Sequence, residues 1–405
     1  MKVAHISEVF WPQIGGIETA MTTLFRYLPD IQHVVFTNPW DGSALAEQMA
    51  SNVVVNRIPP SDTMLMGFLR LLSLGNSSPR SIRGLTLLTH LLRETRRRRR
   101  IGNESPAFEI IHLHSAEKAR YFFALDAKYS LTIGRRLVDW WLRADVYQGP
   151  ILITDHSLFG ASRRQFNQTH AGEVLRRIRY AICVERSGYE NAEAFVSEHG
   201  LDVQLWHVPN PVDTDLFPYQ PMPDTPMLRV GYVGRAKREG VDRIFEIAAH
   251  APDGFEFHLA LAGGPSDLDR FQPHPKNVRI EWNIPNGELP KFYSGIHFLL
   301  DPWSFGAPRT ALEALSTGRV VIRLRSTKSF AEEVPETVSP VVRPRSSELF
   351  SVLQGLREDP SELERMGKAS RALAVERFEA RRIADAYRRI YHEILQHSQL
   401  RAKGE

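Results

Sequence analysis

The sequence predicts an α/β protein of two doubly wound domains, and three observations carry that prediction. The chain has 405 residues, nearly three times the ~150 residues of an average domain. Short apolar runs rich in β-branched residues alternate along it with longer amphipathic stretches, the pattern of βα units around a parallel sheet. The alternation breaks once, at the proline-rich stretch 209–226, and then resumes.

Taken in order, strands are expected at KVAHI (2–6), HVVFT (33–37), VVVNR (53–57), EIIHL (109–113), ILIT (151–154) and AICV (181–184). The stretch PNPVDTDLFPYQPMPDTP that follows holds too many prolines for a helix or a central strand, so it reads as the linker between a domain at 1–208 and a domain at 227–380. The second series is LRVGYV (228–233), FHLALA (257–262), VRIEW (278–282), HFLLD (297–301) and VVIRL (320–324). From 361 to about 396, Leu, Ala, Ile and Tyr recur at three- and four-residue spacings, which predicts helices. No internal repeat is visible.

An apolar fraction of 42% with 24% charged residues excludes a disordered or fibrous chain. The single cysteine, Cys183, excludes an internal disulfide and fits a reducing compartment. The opening MKVAHISEVFWP meets Glu8, Trp11 and Pro12 before an apolar signal region develops, and no run of ~18 apolar residues follows. A cytoplasmic chain is expected.

The net charge of +4 is small, but its distribution is uneven. Residues 59–105 carry Arg70, Arg80, Arg83, Arg93 and the five arginines at 96–100 against Asp62, Glu94 and Glu104, a local surplus of six. The neighbouring MLMGFLRLLSL (64–74) is apolar, and Ile82, Leu85, Leu88 and Leu92 recur at helical spacing. Such a segment suits an anionic membrane surface. The alternative is a core helix with a solvated basic end. A nucleic-acid role ranks behind both.

Chemistry in doubly wound folds sits in the loops at the carboxyl ends of the strands. After the first strand, Gly15 and Gly16 precede a helix, where a bare backbone and free helix N–H groups admit an anion; the plain alternative is a tight turn. At the head of the second domain, Arg235, Lys237 and Arg238 crowd a strand-to-helix turn, and cations at a helix N-terminus call for an anion between them; the alternative is a solvated turn. In DPWSFGAPRTALEALSTG, Pro308, Arg309 and Thr310 open a helix with Glu313 one turn inside, which alone reads as ordinary helix-start chemistry.

Six motifs in order, GGIE (15–18), His156 in ITDHS, VPNPVD (208–213), VGR (233–235), LAGG (261–264) and PRTALEALSTG (308–318), resemble those of the retaining glycosyltransferases of family 4. The resemblance runs from the first residue to about 392 and includes VERF (375–378). It implies the GT-B fold, two Rossmann-like domains facing across a cleft, with the helix at 381–405 crossing back to the N-terminal domain. It also implies transfer of a sugar from a nucleotide diphosphate donor, with no cofactor and no metal. Gly15 and Gly16 match glycines at the donor diphosphate and reaction centre, and His156 a histidine close to the transferred sugar. Arg235 matches the diphosphate-binding arginine, with Lys237 or Arg238 as its partner cation, and Glu313 the glutamate that holds the ribose.

The chain also departs from that family pattern. Phe305 stands where a second glutamate touches the donor sugar, which puts sugar specificity in doubt and activity to a lesser degree. The turn from Arg235 to Gly240 is one residue short, and Ser326 and Thr327 replace a Gly-Gly. Three other patterns carry less weight. Asp213, Thr214 and Asp215 spell a metal-binding Asp-x-Asp but lie in the linker. His112 and His114 share one face of a strand with no third ligand in sequence reach. Gly231, Gly234 and Gly240 are spaced wrongly for a dinucleotide enzyme.

The expectation is a retaining hexosyltransferase using a UDP- or GDP-sugar. Its acceptor is held on the N-terminal domain, and is lipid-linked if 59–105 meets the inner face of a membrane. The rivals are a GT-B-type sugar-nucleotide epimerase and a catalytically silent glycosyltransferase-like partner protein.

Overall fold

The computed structural model describes residues 1–405 except 8, 13–14, 40–41, 59–107, 115–148, 157–158, 161–163, 165, 167–170, 238, 303–307, 325–331, 343–345 and 403–405. The basic segment 59–105, Arg238, Phe305, Ser326 and Thr327 therefore lie outside the described residues. The chain forms two compact units, Met1–Pro209 with Ala384–Glu405, and Asn210–Ile383.

The first unit is built on β1 (Lys2–Ile6), β2 (Gln32–Thr37), β3 (Ala46–Ala50), β4 (Val53–Arg57), β5 (Ile110–His114), β6 (Ile151–Asp155), β7 (Tyr180–Cys183) and β8 (Gln204–His207). Their order in the sheet is β3-β4-β2-β1-β5-β6-β7-β8, and every pair is parallel except β3 with β4. Parallel strands covered on both faces are rich in apolar residues, and the central strands here alternate buried Val, Ile, Leu and Phe with buried histidines on β1, β2 and β5. On one face Ala4, Ile6, Val34, Phe36, Ile111, Leu113 and Ile153 form a core with Phe159, Val174 and Leu175. On the other, Val35, Val53 and Val55 pack on Met21 and Phe25 of the helix Gly16–Tyr27.

The second unit is built on β9 (Leu228–Arg235), β10 (Phe255–Ala262), β11 (Val278–Trp282), β12 (Phe298–Asp301) and β13 (Val320–Arg323), all parallel in the order β11-β10-β9-β12-β13. Both sheets are Rossmann-like and doubly wound. The winding reverses between β1 and β5 in the first and between β9 and β12 in the second, the switch points at which this architecture binds ligands.

The proline-rich stretch is fixed rather than loose. Val212 bridges to Glu379, and the Arg371 guanidinium donates to the carbonyls of Thr214, Phe217 and Ser316, so the chain is tied to the second unit over a buried Phe217. Two strands were not expected from the sequence, β3 (AEQMA) and β8 (QLWH). Both are edge strands with a single neighbour and lack a buried apolar run. Among the described residues, no helix is long and apolar enough to cross a membrane.

Candidate functional site

At the switch point of the second unit, Arg235 ends β9 and Lys237 follows in the turn before the helix Glu239–Ala249. The Arg235 side chain is exposed and has no hydrogen bond or ion pair among the described residues. Lys237 lies 3.2 Å from the Asp267 carboxylate, which also accepts the amide of Gly264. Those two contacts, the amide first, draw the Asp267 carboxyl below its ordinary range. A Cβ on Gly240 would sit 2.9 Å from the Tyr232 hydroxyl and 3.2 Å from Pro302, so a side chain here would crowd the helix start against Tyr232 of β9 and Pro302 after β12.

Across the same switch point, Pro308 caps the helix Arg309–Ser316, its carbonyl accepting the amides of Ala311 and Leu312. Glu313 is buried, and both its oxygens are engaged: Arg309 donates to one at 2.9 Å and the Tyr293 phenol to the other at 2.9 Å. The phenol stays protonated because burial, then the adjacent carboxylate, push its pKa well up. The carbonyl of Thr310 accepts from the same phenol. An ionised carboxylate has about four acceptor positions, so Glu313 keeps capacity for further donors. The sequence could not reveal Tyr293, because its link to Glu313 crosses from one helix to another.

In the first unit, Gly15 is the N-cap of the helix that starts at Gly16, with extended backbone that any residue adopts. A Cβ on Gly16 would meet nothing within 4 Å among the described residues. Neither a left-handed conformation nor internal packing therefore explains glycine here. His156 follows β6, its Nε2 buried with no hydrogen-bond partner among the described residues. Burial holds its pKa down at about 4, so the ring is neutral at pH 7.

The larger surprise lies beside it. His5 on β1 is in parallel register with His112 on β5, and His33, His5, His112 and His114 share one buried face of the sheet. His5 and His114 are joined through Nδ1 and Nε2 at 2.9 Å, and His5 Nε2 meets His33 Nδ1 at 2.9 Å. His112 is held between the hydroxyls of Thr154, 2.7 Å from Nε2, and Tyr391, 2.8 Å from Nδ1. Burial first, then neighbouring imidazoles, keep His5, His112 and His114 in the neutral form, and burial does the same for His33; the His112 pKa falls to about 3 and the His33 pKa to about 4. Ring nitrogens of His5, His112 and His114 lie within 4.8 Å of one another, close enough to hold one ion. This corrects the expectation of no cofactor and no metal. The third ligand that sequence reach did not supply comes from β1 through strand register. In contrast, Asp213 accepts the amide of Leu216 and Asp215 pairs with Arg381, so the Asp-x-Asp carboxylates serve the chain itself.

No family model matches the sequence, and no curated protein matches it. Solved structures do match. Sucrose-phosphate synthase from Thermosynechococcus elongatus superposes with a TM-score of 0.70 at 18% identity, over 98% of this chain and 99% of that one. HepE from Anabaena, in complex with UDP-glucose, gives 0.66 at 14% identity over 98% and 100%. The α,α-trehalose 6-phosphate synthase from Burkholderia multivorans gives 0.63 at 11% identity over 98% and 99%. At such identities the likeness is one of fold, and the chain has the GT-B fold that these structures share.

Proposed function

We propose that the protein is a retaining glycosyltransferase that moves a hexose from a UDP- or GDP-sugar to an acceptor. The observation that carries this reading is Arg235, an exposed cation without a partner among the described residues, at the carboxyl end of β9 on the switch point. A nucleoside diphosphate supplies the missing anion. UDP-glucose in HepE, a protein of the same fold, supports a nucleotide-sugar donor.

In the second unit, Arg235 and Lys237 bind the diphosphate, with Arg238 as the alternative partner cation. Glu313 accepts the ribose hydroxyls with the lone pairs that Arg309 and Tyr293 leave, and Pro308, Arg309 and Thr310 shape that helix start. In the first unit, the bare backbone at Gly15 and Gly16 and the Nε2 of His156 act on the phosphate and sugar end of the donor. The bond between the anomeric carbon and the leaving phosphate oxygen breaks as the acceptor oxygen bonds on the same face, and the acceptor's proton passes to that phosphate oxygen. Charge developing on the leaving group is stabilised by fixed cations and helix N–H groups. Phe305 selects the sugar.

The test is a thermal-shift panel of UDP, GDP and their sugars on the full chain, followed by product analysis with the donor that binds. Ligand at 100 times its dissociation constant adds ~2.7 kcal/mol, and an α-linked product from an α-linked donor marks retention. Binding without turnover would assign a silent partner role, and a changed sugar without an acceptor would assign an epimerase. The acceptor is proposed to be lipid-linked, with 59–105 as the membrane contact. Co-sedimentation with anionic but not neutral vesicles, lost at high salt, tests that part.

A further inference from the structure

We propose that His5, His112 and His114 bind one divalent transition-metal ion of the zinc class, a structural clamp between β1 and β5 in the first unit. The site does not depend on the sugar-transfer reading.

Hydrogen-bond bookkeeping shows that His5 is already presented as a ligand. The carbonyl of Leu28 can only accept, so His33 donates to it from Nε2 at 3.3 Å. A neutral His33 must then accept at Nδ1, which makes His5 Nε2 the donor there. His5 Nδ1 is therefore a lone pair, aimed at His114 Nε2. A ligating imidazole needs its second nitrogen fixed by an outer partner. The relay from His5 through His33 to Leu28 is such a partner, built inside the core.

His112 satisfies the same requirement in either orientation. Whichever nitrogen takes the metal, the other keeps a hydroxyl, Thr154 or Tyr391. Two nitrogens on one tetrahedral ion with bonds of ~2.0–2.1 Å stand ~3.4 Å apart. His5 and His114 stand 2.9 Å apart, so an ion replacing the shared proton asks the rings to part by roughly half an ångström. No proton is released: the single ring hydrogen of neutral His114 moves from Nε2 to Nδ1 as the ion takes its place, so the ring ligates as neutral imidazole. The group found close enough to ligate is imidazole only, a nitrogen set that suits Zn²⁺ or Co²⁺ and not the oxygen-seeking Mg²⁺ or Ca²⁺. Register sets His5 opposite His112 and the two-residue period of β5 puts His114 on the same face, so the ion ties the two strands of the switch point together at their carboxyl ends.

The experiment uses the full chain, stripped with a chelator and titrated with ZnCl2 or CoCl2. The expected result is one equivalent retained through gel filtration, visible d–d bands with Co²⁺, and a melting temperature raised by roughly 5–10 °C at a metal concentration 100 times the dissociation constant. His5→Asn and His114→Gln should each abolish the bound equivalent, whereas His250→Gln, at an exposed helix end, should keep it. X-ray absorption on the loaded wild type needs no variant and should read three imidazoles at ~2.0–2.1 Å. No stoichiometric uptake by the wild type, a shell with fewer than three imidazoles, or uptake unchanged in both cluster variants would overturn the site.

Discussion

The Tyr293 phenol donates a 2.9 Å hydrogen bond to the Glu313 carboxylate from a different helix, and Arg309 grips the other oxygen at the same distance. The carboxylate is thereby oriented before any ligand arrives. Leaving one buried acceptor short of its donor costs ~1–3 kcal/mol, so Tyr293→Phe should lower the urea-unfolding free energy of the second unit by that amount. Donor KM should rise more in Glu313→Ala than in Tyr293→Phe, because the first removes the acceptor and the second only its orientation. Equal KM values in the two variants would detach Glu313 from the donor.

Arg235 and Lys237 are two residues apart but not equivalent. Lys237 already has the Asp267 carboxylate at 3.2 Å on an exposed turn, where such a pair contributes little, and it must be shared to meet a phosphate. Arg235 has no such competitor among the described residues. Charge-assisted contacts to phosphate are worth roughly 1.5–3 kcal/mol, so Arg235→Ala should weaken UDP or GDP about ten- to a hundredfold in calorimetry. Lys237→Ala should weaken it by less. A larger effect from Lys237 would reassign the leading cation.

The two sheets, their central strands and the loops that carry Gly15, Arg235 and Glu313 were legible in the sequence, because each lies within one strand-turn-helix stretch whose periodicity can be read locally. The edge strands β3 and β8 were not, since an edge strand has half its surroundings in solvent and needs no apolar run. The histidine cluster was half legible. His112 and His114 announce a shared face by their spacing, but His5 lies 109 residues from His114 and joins it only through parallel pairing of β1 with β5. Tyr293 and the Tyr391 cover over His112 were hidden for the same reason: the contact is made by tertiary packing and leaves no pattern along the chain.

His297 gives the second unit a defined acid sensitivity. Its Nδ1 accepts the amide of Arg229 at 3.1 Å, and burial first, then the Arg319 charge, lower its pKa to about 4. The unfolded chain takes up this proton at pH ~6.5 and the folded one only near 4. The stability it contributes is therefore complete above pH ~6.5, is lost as pH falls towards 4, and changes no further below that. The full loss is ~3 kcal/mol. His297→Asn should be less stable than wild type at pH 7 and show a shallower decline to pH 4.5 in urea titrations. Parallel declines would mean that His297 is not the group responsible.

The part proposed for His156 in turnover rests on one orphaned nitrogen. Its Nε2 is buried without a partner among the described residues, so the cost of taking that nitrogen out of water is already met in the free protein. In the proposed reaction a sugar hydroxyl supplies the hydrogen bond that this nitrogen lacks. Removing one such preorganised polar contact typically lowers kcat by 10²–10³. His156→Leu, which keeps most of the volume and deletes the orphaned nitrogen, should therefore hold the unfolding free energy within ~1.5 kcal/mol of wild type while kcat falls and donor KM changes little. The same variant measured by calorimetry should bind UDP as tightly as wild type, since the nucleotide is assigned to Arg235 and Glu313 in the other unit. A variant that loses UDP affinity and stability together, with kcat per folded molecule unchanged, would make His156 a packing residue and remove it from the reaction.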